Sequence, residues 1–179
     1  MTTYIQNFLK FQPLLKELIA RDIKVKYRKS VLGVLWTLLN PLFMMIVLSV
    51  VFSNLFKFDV EYFPVYLLSG QLIFNFYSEV TTCSMSAIID NGPLIKKVYV
   101  PKYLYPLSSV LFNYVIFLIS LIVLAIVAVV QGIQPTIYML QIPIALILVL
   151  LLSYGCGMIL ATIGVFFRDM EYLWSVALM

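Results

Sequence analysis

Residues 103–167 read YLYPLSSVLFNYVIFLISLIVLAIVAVVQGIQPTIYMLQIPIALILVLLLSYGCGMILATIGVFF, 65 consecutive positions without a charged side chain. A bilayer core about 30 Å thick takes roughly 20 apolar residues per helix, so this stretch is long enough to cross twice. The break QGIQP at 131–135 supplies the return turn. In lipid every backbone amide must be satisfied within a helix or a closed barrel. The few polar groups left inside such segments become the first functional candidates.

Working outward, the rest of the chain agrees. Hydrophobic residues make up 63% and charged residues 11%, and the mean hydropathy is +1.04. That composition belongs to integral membrane proteins. The apolar runs are continuous rather than alternating, which argues against a β-barrel. An all-α integral membrane fold is therefore expected. Cys83 and Cys156 both fall inside apolar segments and support neither a disulfide framework nor a metal site. The absence of histidine removes the commonest metal ligand and the side chain best suited to proton transfer near neutral pH. Residues 1–29 are too charged for a signal peptide, and the apolar run after them is too long for an h-region. Membrane lipids are the expected surroundings, and no nucleic-acid partner is expected.

Four spans are predicted, over 30–56, 64–89, 103–130 and 137–167, with an incomplete fifth over 171–179. The first covers 27 uncharged residues, roughly 40 Å as a helix, so tilt or a kink at Pro41 is expected. Residues 1–29 form a separate amphipathic segment, and 90–102 form a charged loop. Placing the N-terminus inside puts eleven of the twelve basic residues on the inner side and leaves Lys57 outside. The positive-inside rule favours that orientation.

Before the first span, Leu14, Leu15, Leu18, Ile19 and Ile23 recur at helical spacing, with Lys16, Glu17, Arg21, Lys24 and Arg28 on the other face. Pro13 suits a first turn, and Glu17 is placed to pair with Arg21. Such a helix lies flat at headgroup level. It serves either as an anchor to the anionic leaflet or as a lever that also touches a cytoplasmic partner.

Inside the membrane, Gln71, Asn75, Ser78, Glu79, Thr82 and Ser86 share one stripe of the second span. The stripe suits interhelical hydrogen bonding or a polar pathway. Glu79 is its sharpest element, because an intramembrane acid is costly. A lone acid says little about proton coupling, since a relay needs partners and none is visible. Ser109, Asn113 and Ser120 repeat the theme on the third span. On the fourth, Ser153, Gly157, Ala161 and Gly164 form a small-residue ridge, read as helix packing. Aromatic residues such as Trp36, Phe56, Phe58, Tyr62, Phe63 and Tyr66 gather at span edges. An interfacial belt is the default reading, although aromatic faces also stack on the C–H faces of sugars.

The loop DNGPLIKKVYVPK (90–102) holds a short element between Pro93 and Pro101, with Leu94, Ile95 and Val98 beside Lys96 and Lys97. An amphipathic element of this kind suits docking in a partner's groove. Three motifs, RDIKVKYRKSVLGVLWTLLNPL (21–42), NGPLIKKVYVPKYLYPLS (91–108) and FFRDMEYL (166–173), resemble the membrane subunit of type-2 ABC exporters of polysaccharides. That family includes O-antigen, capsule and teichoic-acid permeases. The resemblance runs over nearly the whole chain. It implies a permease homodimer in the bacterial cytoplasmic membrane, bound to two ATPase subunits and carrying a lipid-linked polysaccharide. It also implies that 93–101 is a coupling helix, that the helix before Arg28 touches the ATPase, and that Arg168 and Asp169 lie near it. Arg21, Lys24, Lys26, Arg28, Leu94, Ile95, Lys96, Lys97, Val98, Arg168 and Asp169 are thus the coupling candidates. Trp36, Asn40, Gln71, Asn75, Glu79 and Asn113 are the pathway candidates.

Members of that family have six spans, and this sequence ends within the fifth, as expected of a fragment or a truncated chain. None of the seven glycines precedes a lysine, so there is no G-x-x-x-x-G-K-[ST]. Phosphates are not cradled here by a P-loop, and ATP with its Mg belongs to a partner. Two other readings fit the same architecture: a type-2 ABC exporter of drugs or lipids, and an ion-coupled secondary transporter. The second usually shows inverted repeats and several intramembrane ionisable groups.

Overall fold

The structure, a computed structural model, describes residues 2–28, 33, 35–52, 62–97, 99–134 and 136–179, with side chains among these from residue 11 onward. Among the described residues every regular element is helical. In chain order they are α1 (Thr2–Tyr27), α2 (Leu35–Val51), α3 (Phe63–Asp90), α4 (Gly92–Ile95), α5 (Leu104–Val130), a 3-10 turn (Ile137–Gln141), α6 (Ile142–Phe166) and α7 (Met170–Ala177).

Two of these are long and apolar enough to cross a membrane by length and composition, Leu104–Val130 and Ile137–Phe166. They carry the uncharged stretch of 65 residues. Gly132, at φ 73°, makes the turn between them, a conformation open to glycine because it has no Cβ. α3 has 28 residues, roughly 42 Å at 1.5 Å per residue. α2 has 17 with Pro41 inside it, and the ends of the predicted 30–56 segment lie outside the described residues, as do Lys57, Phe56 and Phe58.

α3 is the hub, touching α2, α5, α6 and α7. Its Leu68, Leu72, Phe76 and Val80 meet Val110, Phe117 and Val123 of α5 in one buried cluster. The rings of Phe76 and Phe117 stack with centroids 4.7 Å apart, a geometry worth about 0.5–1.5 kcal/mol beyond the area it buries. Lipid tails are as apolar as leucine, so helix association here relies on close fit. The ridge on α6 supplies that fit, since Ser153, Gly157, Ala161 and Gly164 are all buried. A Cβ at Gly157 would stand 2.9 Å from Ser84 Oγ, and one at Gly164 would stand 2.7 Å from the backbone oxygen of Met85.

α7 folds back along α3. The Trp174 indole Nε1 donates to Thr81 Oγ1 at 3.0 Å, while the Thr81 hydroxyl donates to the Tyr77 carbonyl at 2.8 Å. Thr81 is fully buried, and this pair satisfies it from both sides. Replacing Trp174 with phenylalanine should cost about 0.6 kcal/mol, the mean for an interhelical hydrogen bond in a membrane protein. Hydrogen–deuterium exchange should rise in α7 and stay unchanged in α5.

α1 departs from expectation in three ways. It begins at Thr2, so Pro13 lies inside it and not in its first turn. A proline there leaves the carbonyl four residues back without its N–H. Pro13 sits on the exposed side, where solvent or headgroups can replace the lost donor. Second, the predicted Glu17–Arg21 pair gives way to Arg21–Asp22, with Arg21 Nε and Nη2 on Asp22 Oδ1 at 2.9 and 2.8 Å. Two donors of the planar fork converge on one carboxylate oxygen next door, and turning back one turn would gain nothing more. Third, Leu15 and Leu18 are buried against Ala87, Val100, Leu104 and Tyr105. Protein, not headgroup, covers the apolar stripe, because the start of α5 offers a fitted apolar surface. Arg21 reaches Asn91 at the end of α3, whereas Lys26 reaches Glu79, about three turns higher on that helix. α1 therefore packs on the start of α5 and reaches α3 through the long side chains of Arg21 and Lys26.

Candidate functional sites

Asn75 and Glu79 of the α3 polar stripe face a cavity bounded by α1, α2 and α5. It has two adjoining parts of about 100 and about 330 Å³, both lined by Lys26, Thr37, Asn40 and Glu79. Asn75, Asn113 and Ser120 line the inner part, and Trp36 lines the outer. Five of the six pathway candidates are thus brought together. Gln71 is not among the lining residues. It is half-buried, with Oε1 buried and without a hydrogen-bond partner.

Glu79 has a partner that the sequence did not reveal. Lys26 Nζ donates to Glu79 Oε2 at 3.4 Å and lies 5.4 Å from the centroid of the Phe112 ring. That is within reach of a cation–π contact. Lys26 was grouped with the coupling candidates, and its geometry places it with the cavity. Asn113 is 2% exposed. Its Nδ2 donates to the Ser109 carbonyl at 3.0 Å, and its Oδ1 is buried with no partner. Ser120 is spoken for, since its Oγ donates to the Ile116 carbonyl at 3.1 Å. Ser120 belongs to the polar face read on the third span, whereas Thr37 and Phe112 were not singled out. Their helical positions carry no signal until α2 and α5 are docked on α3.

The second region is the loop end of the bundle. Asn91 ties it together. Its Nδ2 donates to the Ala87 carbonyl at 2.8 Å, capping α3, and its Oδ1 accepts from Arg21 Nη1 at 3.0 Å. The backbone N–H groups of Leu94 and Ile95 both donate to the Asn91 carbonyl at 3.0 Å, which winds α4. Leu94 and Ile95 are half-buried against the Leu15–Leu104 cluster. They face the protein, and the docking face the sequence assigned them falls instead to Pro93, Lys96, Lys97 and Tyr99, all exposed. Tyr99 is 93% exposed and was missed by sequence reasoning. Val98 lies outside the described residues. Lys24, Arg28 and Lys102 are also exposed.

Arg168 and Asp169 are exposed on the turn between α6 and α7, beside the exposed rings of Phe166 and Phe167. Gly164 meets Met85 near the end of α3, so this turn shares the bundle end that carries 91–102. Lys96, Lys97, Tyr99, Phe166, Phe167 and Arg168 are thus exposed at the same end of the bundle.

Comparison with known proteins adds a separate line. A sequence profile described as ABC-2 type transporter matches residues 13–179. The chain is similar to the O-antigen export system permease protein RfbA of Myxococcus xanthus, with 31% identity over 175 residues, 98% of this chain and 67% of that protein. A protein of the same name from Klebsiella pneumoniae is 29% identical over 160 residues, 89% of this chain and 62% of its own. The polysialic acid transport protein KpsM of Escherichia coli is 27% identical over 165 residues, 90% of this chain and 64% of its own. The chain spans about two thirds of the length of these relatives.

Proposed function

Since the chain belongs to the ABC-2 type transporter family of membrane proteins, we propose that it is a permease subunit of an ATP-driven polysaccharide exporter. Its cargo is a lipid-linked glycan, moved across the bacterial cytoplasmic membrane. The observation that carries this reading is 31% identity over 98% of the chain to a protein named as an O-antigen export permease. Similarity to a polysialic acid transport protein points to the same cargo class. In this reading ATP and Mg are held by a separate ATPase subunit. Two permease copies pair around the path, with the N-terminus inside as the charge bias favours.

In this reading the exposed group Pro93, Lys96, Lys97 and Tyr99 seats on the ATPase. Movement of that loop reaches α1 through the Arg21–Asn91 hydrogen bond and through the cluster around Leu15 and Leu104. It reaches the middle of α3 through Lys26 and Glu79.

Two variants divide docking from folding. Lys96→Glu with Lys97→Glu should abolish co-purification of the ATPase and leave the melting curve of the detergent-solubilised protein unchanged. Leu94→Ala with Ile95→Ala should lower the melting temperature instead, because these half-buried side chains pack on the cluster around Leu15 and Leu104. ATPase capture that survives both reversed charges would count against the docking role. Deletion of the gene should make lipid-linked glycan accumulate on the cytoplasmic leaflet. Undiminished surface glycan in that strain would sink the exporter reading.

A further inference from the structure

The cavity between α1, α2, α3 and α5 has a charge balance that narrows what it can hold. We propose that it is a binding subsite for one neutral sugar ring of the exported glycan. This rests on the exporter reading above and adds to it a place and a set of contacts.

Lys26 is matched by Glu79 and by the face of Phe112. Among the described lining residues, an entering phosphate finds no cation that is not already balanced, and an ammonium finds no unmatched acid. The other polar lining is neutral. Asn40, Asn75 and Asn113 offer three carboxamides, each with both donors and an acceptor. A sugar hydroxyl also donates and accepts, so the two are complementary. Asn113 Nδ2 is fixed on the Ser109 carbonyl. That leaves Oδ1, buried and unpartnered, as an acceptor that a ligand hydroxyl would satisfy.

The remaining walls are apolar. Leu72 and Ile116 line the inner part, and the Trp36 ring, half exposed, lines the outer. A sugar presents hydroxyls at its rim and C–H groups on its faces, and the outer part presents the Asn40 carboxamide and the Trp36 ring together, with Asn75 and Asn113 in the adjoining inner part. A hydrocarbon chain would waste the carboxamides. The larger part, about 330 Å³, sits at the lower end of the roughly 300–1,000 Å³ of small-ligand sites. That suits one ring and not several.

The test is calorimetric binding to the protein in lipid nanodiscs. The probe is an oligosaccharide pool released by mild acid from the source cell's own surface polysaccharide. Saturable binding is expected. Asn75→Ala and Asn113→Ala should each weaken it on the order of tenfold, the effect of losing a hydrogen bond in a desolvated site. Trp36→Ala should do the same, and Trp36→Phe should retain binding. Asn75 and Trp36 are exposed, so those variants decide the matter even where Asn113→Ala fails to fold.

Absence of binding to the unaltered protein overturns the proposal. So does binding that is indifferent to both Asn75→Ala and Trp36→Ala. Competition by sodium phosphate or by phosphatidylethanolamine in the nanodisc overturns it in favour of a lipid-headgroup site. Glycan accumulation in the deletion strain is read separately. Accumulation together with indifferent binding sinks the subsite alone, and no accumulation sinks the exporter reading whatever the calorimeter records.

Discussion

Leucine at position 164 should prevent the bundle from assembling, whereas leucine at 155 should leave it intact. Both are α6 glycines, nine residues apart. An added Cβ at Gly164 would lie 2.6 Å from Met85 Cγ and 2.7 Å from the Met85 backbone oxygen, and at Gly155 it would meet nothing within 4 Å. A methionine side chain can turn away. A carbonyl inside a helix cannot, so α6 must back off from α3. Overpacking costs about 1–3 kcal/mol and occasionally more, and leucine adds three further carbons to the same collision. Gly157 sets an intermediate step, because its nearest neighbour is Ser84 Oγ at 2.9 Å, a side chain able to change rotamer. Alanine substitutions should therefore rank 155, 157, 164 in increasing damage. Size-exclusion chromatography after a heating series would read the order, and a reversed ranking would refute the α3–α6 contact as drawn.

Charge exchange between α1 and α3 gives the second large effect. Lys26→Glu places two carboxylates where a cation and an anion stood 3.4 Å apart. At about 4 Å two unit charges interact by about 1 kcal/mol in water and about 4 kcal/mol at an effective dielectric of 20. The side chains are 36% and 53% exposed, so solvent screening keeps the value toward the lower figure. Attraction becomes repulsion of similar size, which should reduce glycan export on the order of tenfold. The double exchange Lys26→Glu with Glu79→Lys restores the pair in reverse and should recover most of the loss. Failure of the double exchange to rescue would show that Lys26 acts by a route other than Glu79.

Much of the architecture can be read from residue order, because lipid enforces simple rules. A run of 65 uncharged positions has few alternatives to a helical pair. The ridge of Ser153, Gly157, Ala161 and Gly164 is legible for the same reason: small residues at helical spacing have one common use in a bilayer. The site was half legible. Asn40, Asn75, Glu79 and Asn113 stand out as polar groups in apolar segments, and they share a cavity. The pairing of Lys26 with Glu79 joins residues 53 apart, and no local spacing encodes it. The inward turn of Leu94 and Ile95 was equally hidden. An amphipathic loop has an apolar face whether that face meets a partner or its own protein, and only the position of Leu15 and Leu18 decides. Gln71 shares its stripe with Asn75 yet does not line the cavity.

The contact between α1 and α5 also has a consequence for biosynthesis. Leu15 leaves the ribosome 89 residues ahead of Leu104, the surface that will cover it. At about 5–20 residues per second that gap lasts on the order of ten seconds. During this interval the leucines of α1 need shelter, and the bilayer surface, attractive to a basic amphipathic helix, is the nearest available. A basic amphipathic helix resting on the leaflet would meet that need until α5 is made and covers Leu15 and Leu18.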